Sequence, residues 1–178
     1  MNKKCSYIVK IGLFTAFLIA IDQISKFLAT VCLKGKNDFV IIKDVFCFHY
    51  LDGGNTGAAW GMFSGRRFLF IIFTLIAVIF ICLFIRNVTR LYFLTKTSVY
   101  KILNIFLILL LSGAVGNLID RVFHGFVIDF IYFELIHFPI FNVADCYVTV
   151  SCIGIIFICL FRIKEEDFNK IISIRGKL

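Results

Sequence analysis

At 178 residues, with 61% hydrophobic side chains and a mean hydropathy of +0.97, the chain is far more apolar than a soluble domain, where about 45–50% is usual. That excludes an ordinary water-soluble fold, while the length fits one domain. The net charge of +8 follows a membrane topology, as set out below, and implies no nucleic-acid partner; attraction to lipid headgroups accounts for it.

A bilayer core about 30 Å thick takes about 20 apolar residues per helical span. Four such windows occur, over about 11–31, 68–85, 102–119 and 143–161. The expectation is an all-α membrane protein, four transmembrane helices forming a single integral domain over residues 1–178. The first window is longer than the apolar part of a cleavable leader and no small-residue cleavage site follows it, so it reads as a retained anchor. It carries Asp22 and Lys26 in its later part, an i, i+4 pair whose spacing alone reads as a structural ion pair.

The segment 32–67 holds two β-rich runs, Phe39–Ile42 and Val45–Tyr50, separated by Lys43 and Asp44. They predict a hairpin on the membrane surface. The turn-rich stretch Asp52-Gly-Gly-Asn-Thr-Gly57 follows, then Trp60, an aromatic suited to the interface. After the second window, 86–101 reads as a loop with Arg86, Arg90, Lys96 and Lys101 and no acid. The third window has Ser112, Gly113 and Gly116 on a small-residue face that favours close helix packing, and ends in Asn117, Asp120 and Arg121, which read as helix-end anchors.

The segment 120–142 is aromatic and apolar, reads as extended between Gly125 and Phe141, and carries Asp129 among Val127, Ile128, Phe130 and Ile131. Asn142 is placed to cap the fourth window with Asp145 three residues on, the spacing of a capping box. The tail, 162–178, mixes charges with Phe168, Ile171 and Ile172 and is read equally as an inner-leaflet segment or as solvated chain.

The N-terminal stretch, the 86–101 loop and the tail together hold twelve bases and three acids, whereas 32–67 and 120–142 hold six of each. The positive-inside tendency puts both termini in the cytoplasm and the two neutral loops outside. Asp22, Lys26, Asn117, Asp120, Arg121, Asp129 and Asp145 then converge on the outer face, where ionisable groups at membrane depth are functional candidates by default. The seven cysteines show no CxxC or zinc spacing, most lie within the windows and read as small apolar fillers, and Cys5 is not in a lipobox context. His49, His124 and His137 lack metal spacing, so no metal and no cofactor is expected.

Asp145 is explained by helix capping as readily as by chemistry, but nothing local explains Asp129, a carboxyl whose burial raises its pKa. Two carboxyls held close can share a proton, the ionised one activating water and the protonated one polarising a carbonyl. Local context favours charge on Asp145 and the proton on Asp129, although the titration belongs to the pair. Depth alone would pair Asp120 with Asp145, since both end spans.

Five blocks settle that choice: Asp22-Gln-Ile-Ser-Lys26, Asn55-Thr-Gly-Ala-Ala-Trp60, Gly113-Ala-Val-Gly-Asn-Leu-Ile-Asp-Arg121, Val127-Ile-Asp-Phe130 and Phe141-Asn-Val-Ala-Asp145. With these in order in a four-span chain, the sequence resembles lipoprotein signal peptidase, or signal peptidase II, over about residues 7–162. The resemblance implies an aspartic endopeptidase of the bacterial cytoplasmic membrane, with an outer β-cradle. It would remove the signal peptide from diacylglyceryl-modified prolipoproteins, cutting before the lipidated cysteine. By motif it makes Asp129 and Asp145 catalytic, with Asp22, Lys26, Asn55, Asn117, Asp120, Arg121 and Asn142 in support. Prolipoproteins and membrane lipids are the partners expected of a monomer. The rival class is a small proton-coupled transporter, which should distribute acids through the membrane rather than cluster them at one face.

Overall fold

The computed structural model describes residues 3–57, 66–163, 167 and 171. Helix α1 (Lys3–Leu33) leads to strands β1 (Phe39–Ile42) and β2 (Phe46–Phe48). Then come α2 (Arg67–Thr95), α3 (Ser98–Phe123), strand β3 (Ile131–Phe133), a 3-10 turn over Glu134–Ile136 and α4 (Val143–Phe161). All four α-helices are long and apolar enough to cross a membrane. Their outward faces carry Leu13, Phe17 and Phe27 on α1, Phe68 and Phe73 on α2, and Ile153, Leu160 and Phe161 on α4, all exposed. Lipid, not water, is the solvent such a surface needs.

Helix α3 is the most enclosed and packs against each of the other three. Its glycines permit this. A Cβ on Gly113 would sit 2.5 Å from the Ala144 carbonyl of α4, and one on Gly116 would sit 2.5 Å from the Asp22 carboxylate of α1. The small-residue face read from the sequence is thus where two neighbours close on α3.

The stretch 86–101, expected as a loop, is mostly helix. Helix α2 continues to Thr95, Lys96 closes it in the left-handed region (φ 57°) with its N–H on the Tyr92 carbonyl, and α3 begins at Ser98. No glycine or proline interrupts this stretch, and its side chains have a core to join. Val88, Leu91, Tyr100, Leu103 and Leu107 pack with Ile158 of α4 and with Ile171 of the tail. The Asn87 side-chain amide donates to the Ile171 carbonyl at 2.8 Å, so this point of the tail is docked on the bundle. Phe168, Ile172 and Trp60 lie outside the described residues.

At the other end of the bundle lies a three-stranded antiparallel sheet in the order β1-β2-β3. The hairpin turns through Lys43 and Asp44, with Asp44 at φ 59°, and pairs Phe39 with Phe48 and Val40 with Cys47. The third strand comes from the segment after α3 and sets Ile131 opposite Phe48 and Phe133 opposite Phe46. Bridges Asn55–Val127 and Ile131–Phe141 extend the zipper on both sides. The two segments expected to be outer loops therefore form one layer. Strand β1 leaves all four of its apolar residues exposed, as suits a sheet resting on a membrane surface.

Candidate active site

Two turns of helix supply the base of the site. On α1, Asp22 and Lys26 are one turn apart, and on α3 Asn117, Asp120 and Arg121 fall at i, i+3 and i+4, so each set shares a face. Asp22, Lys26 and Asp120 are almost fully buried. The Lys26 ammonium lies 2.9 Å from Asp22 and 2.9 Å from Asp120 and donates to Asn117 Oδ1 at 2.9 Å. Its three donors are thereby used.

The carboxylates are met from several directions. Asp22 Oδ1 accepts from the Ala144 backbone N–H at 2.9 Å, tying α1 to the first turn of α4. Asp120 Oδ2 accepts from the Ile128 N–H at 3.2 Å, tying α3 to the segment that carries Asp129. The i, i+4 pair read on α1 is therefore one side of a three-residue cluster. A residue given no role from sequence completes it: Gln23 Nε2 lies 3.1 Å from Asp22 Oδ2, 3.0 Å from Asp120 Oδ1 and 3.2 Å from the Gly116 carbonyl. The signal available was an amide in an apolar window, set beside charges that drew the attention.

Above this layer stands Asn142. Its side chain caps α4 by accepting the Asp145 N–H at 3.0 Å, and its own N–H donates to Asp145 Oδ2 at 3.1 Å. This is the reciprocal capping box. The two N–H bonds of its amide go to Asp129 Oδ1 at 2.6 Å and to Asn117 Oδ1 at 3.1 Å. Asn117 in turn donates to Asp145 Oδ1 at 2.8 Å. A chain of contacts thus runs from Lys26 through Asn117 to both Asp145 and Asn142, and from Asn142 to Asp129.

Asp129 is held as tightly through its backbone. Its carbonyl accepts from Leu51 N–H at 3.1 Å, and the flanking Val127 and Phe130 are paired with Asn55 and Phe141. Asn55 Nδ2 donates to Asp129 Oδ2 at 3.0 Å. Only 1% of Asp129 is exposed, and burial, with the Asp145 charge nearby, pushes its pKa up to about 7 against the bonds from Asn55 and Asn142 and the field of Lys26. Asp145 is half-buried.

Both carboxyls, with Asn55, Asn117 and Arg121, line a cavity of about 530 Å³. Much of the rest of its lining is apolar, a feature the sequence did not show: Phe138 to Phe141 from the segment before α4, and Val148 and Val150 on α4 itself. Arg121 lies at the rim, donating to the Gly57 carbonyl at 3.1 Å, with its guanidinium 5.0 Å from the Phe70 ring centre. The structure thus brings together all nine residues singled out from sequence. Five reach the cavity, Asn142 joins the two carboxyls from behind, and Asp22, Lys26 and Asp120 form the layer beneath.

A paired-carboxyl site in a largely apolar cavity lined by α3, α4 and the segments at the sheet end, in a chain with four membrane-length helices, defines a multi-pass membrane protein equipped for acid–base chemistry. Comparison with known proteins narrows this. The family model "Signal peptidase (SPase) II" matches residues 14–162. The lipoprotein signal peptidase of Clostridium tetani (strain Massachusetts / E88) is 40% identical over 154 residues, covering 85% of this chain and 90% of that protein. The one from Staphylococcus epidermidis (strain RP62A) is 36% identical over 173 residues, 96% and 98% of the two. A solved bacterial membrane enzyme superposes with a TM-score of 0.69 at 33% identity, over 88% of this chain and 96% of that one. The chain belongs to the signal peptidase II family and is a membrane protease.

Proposed function

We propose that the protein removes signal peptides from diacylglyceryl-modified prolipoproteins, cutting before the lipidated cysteine, with Asp129 and Asp145 as its catalytic pair. One observation carries the reading. A single residue, Asn142, bonds both carboxyls, one through its side chain and one through its backbone, and the cavity these carboxyls line is otherwise mostly apolar. An apolar wall beside paired acids suits a substrate that brings a lipid to the scissile bond. A proton relay would instead need acids along the membrane depth, whereas α2 has none and α3 has only Asp120 near its end.

In this mechanism Asp145, at the start of α4 where the helix dipole favours negative charge, takes a proton from water as the oxygen attacks the scissile carbonyl. Asp129, enclosed and with a pKa near 7, donates a hydrogen bond to the carbonyl oxygen. As the C–N bond breaks, the proton on Asp145 passes to the leaving nitrogen. Asn55, Asn117 and Asn142 hold the carboxyls, and Arg121 fixes the turn at Gly57. The protein acts as a monomeric single domain, both termini cytoplasmic and the site near the outer face, since no second chain is needed to complete the cluster.

The test is cleavage of a diacylglyceryl prolipoprotein by purified protein in detergent. Asp129→Asn and Asp145→Asn should each lower the rate by about three orders of magnitude or more, as loss of a member of a catalytic unit does, while the variants remain folded. Near-normal turnover by either would remove that residue from the chemistry.

A further inference from the structure

A second cleft lies at the end of the bundle where α1 begins and α2 ends. Lys3, Ser6, Tyr7 and Lys10 fall at i, i+3, i+4 and i+7 on one face of α1, and they meet Tyr92, Phe93 and Lys96 at the close of α2 around a cavity of about 450 Å³. The floor is aromatic. The Tyr7 ring lies 5.3 Å from Tyr92 and 5.5 Å from Phe93. The left-handed turn at the end of α2 carries the Lys96 ammonium back over these rings, 4.4 Å from the Phe93 centre and 5.8 Å from that of Tyr92.

The rim is cationic. Among the described residues no acid lines the cleft, and none forms an ion pair with Lys3, Lys10 or Lys96. Three lysines facing one cavity repel each other, and a basic trio is kept together at least cost by an anion among them. Lys10 to Lys26 is 16 residues of unbroken helix, about 24 Å at 1.5 Å per residue, and Lys3 to Lys26 is about 34 Å. The cleft therefore sits about one hydrocarbon thickness from the carboxyl site, at the depth of the opposite leaflet's headgroups. Aromatic rings belong at that depth, and the exposed apolar flanks of α1 and α2 adjoin it.

We infer that this cleft binds the phosphate of an anionic glycerophospholipid of the leaflet opposite the carboxyl site. Lys3, Lys10 and Lys96 neutralise the phosphate, the Ser6 hydroxyl is within the same cleft to donate to it, and the three rings pack against the glycerol and upper acyl carbons. Zwitterionic lipid carries the same phosphate but leaves the lysine charge unanswered, so the cleft selects net negative headgroups. The assignment is independent of the peptidase reading, because the cleft shares no residue with that site.

The experiment titrates the purified full chain in detergent with dioleoyl phosphatidylglycerol, dioleoyl phosphatidylcholine or inorganic phosphate, and counts bound lipid by native mass spectrometry. One phosphatidylglycerol should bind saturably and in preference to the other two. Lys10→Gln with Lys96→Gln should weaken that binding about thirtyfold, each lysine near anionic lipid being worth about fivefold. Lys10→Arg with Lys96→Arg should retain it. Lys101→Gln with Arg162→Gln, which removes the same charge from the same end outside the cleft, should leave it unchanged. Prolipoprotein cleavage in detergent should be equal in all these variants, which shows that they are folded. Equal weakening by the Lys101 and Arg162 pair would overturn the site in favour of a diffuse field. Equal uptake of phosphatidylcholine, or equal occupancy by phosphate alone, would overturn the anionic lipid.

Discussion

The two ends of the helical bundle are held by opposite means. At the end where α1 begins, Val88, Leu91, Tyr100, Leu103, Leu107, Ile158 and Ile171 form an apolar core, where another apolar residue of similar volume serves nearly as well. At the sheet end Val127, Ile128 and Phe130 are also buried, but with them are Asp22, Lys26, Asp120, Asp129 and Asn142, each with named polar partners. Apolar contact is a weak discriminator in lipid, whose tails are as apolar as leucine. A buried polar cluster has few arrangements that satisfy every member. The contrast shows where the chain invests in bulk cohesion and where it invests in the position of individual atoms.

The sharpest way to break the contrast is to remove the hub of the polar end. Lys26→Met leaves two buried carboxylates facing each other without their shared cation, which costs about 3–5 kcal/mol, and it frees Asn117, which positions Asp145. We expect a lowered thermal midpoint in detergent and, in the fraction still folded, a cleavage rate reduced at least tenfold. A variant that loses stability yet keeps its rate per folded molecule would show that the cluster only braces the helices.

A titration addresses the same end. Folded, Asp129 holds its proton to about pH 7; unfolded, it releases it near 4. Between these values the folded protein binds the extra proton, so this group's contribution to stability is full below about pH 4, falls as pH rises towards 7, and is lost above. The three-unit span is worth at most about 4 kcal/mol. Asp129→Asn, which has no proton to lose, should lack this slope, so the wild type should fall relative to it across that window in unfolding runs at stepped pH. Parallel curves would mean that Asp129 titrates normally.

The apolar end should answer differently. Leu107→Ala, at a buried position of α3, is expected to cost about 2–3 kcal/mol, within the range for a core leucine. The rate per folded molecule should stay within about twofold, because the cavity it leaves lies 10 residues, about 15 Å along α3, from Asn117. Unfolding midpoints and initial rates on the same samples separate the two quantities.

How much of this was legible in the sequence follows the same division. Apolar windows located all four helices, since hydropathy reports composition. They could not report that 86–101 stays helical, because that depends on Val88, Leu91 and Tyr100 finding a core made by distant residues. The hairpin showed in its β-rich runs and turn residues, and the segment holding β3 read as extended, but the pairing of β3 did not show. That strand has three residues, and its partner β2 lies more than 80 positions earlier. In the site, charges in apolar surroundings identified themselves, and Asn142 and Asp145 showed their capping relation because it is local. The bonds from Asp120 to Ile128 N–H and from Asp22 to Ala144 N–H join separate elements, and no spacing rule reaches them.

Gln23 is the case in which the sequence was least informative and the expected effect is smallest. An uncharged amide in an apolar window raises no alarm, yet this one lies within 3.1 Å of both Asp22 and Asp120, which Lys26 already bridges. Gln23→Leu would leave each carboxylate its lysine and one backbone N–H, so the cluster keeps its main partners. Its loss should cost about 1–2 kcal/mol, the value of a hydrogen bond to a charged group, and lower the cleavage rate severalfold by loosening α1 against α3. Gln23→Glu is the stronger probe of the same contact, placing a third carboxyl against two. It should lower the thermal midpoint more than Gln23→Leu at pH 8 and approach it at pH 5, where the new group takes up a proton. Equal midpoints for the two variants at pH 8 would show that residue 23 does not face the carboxylates.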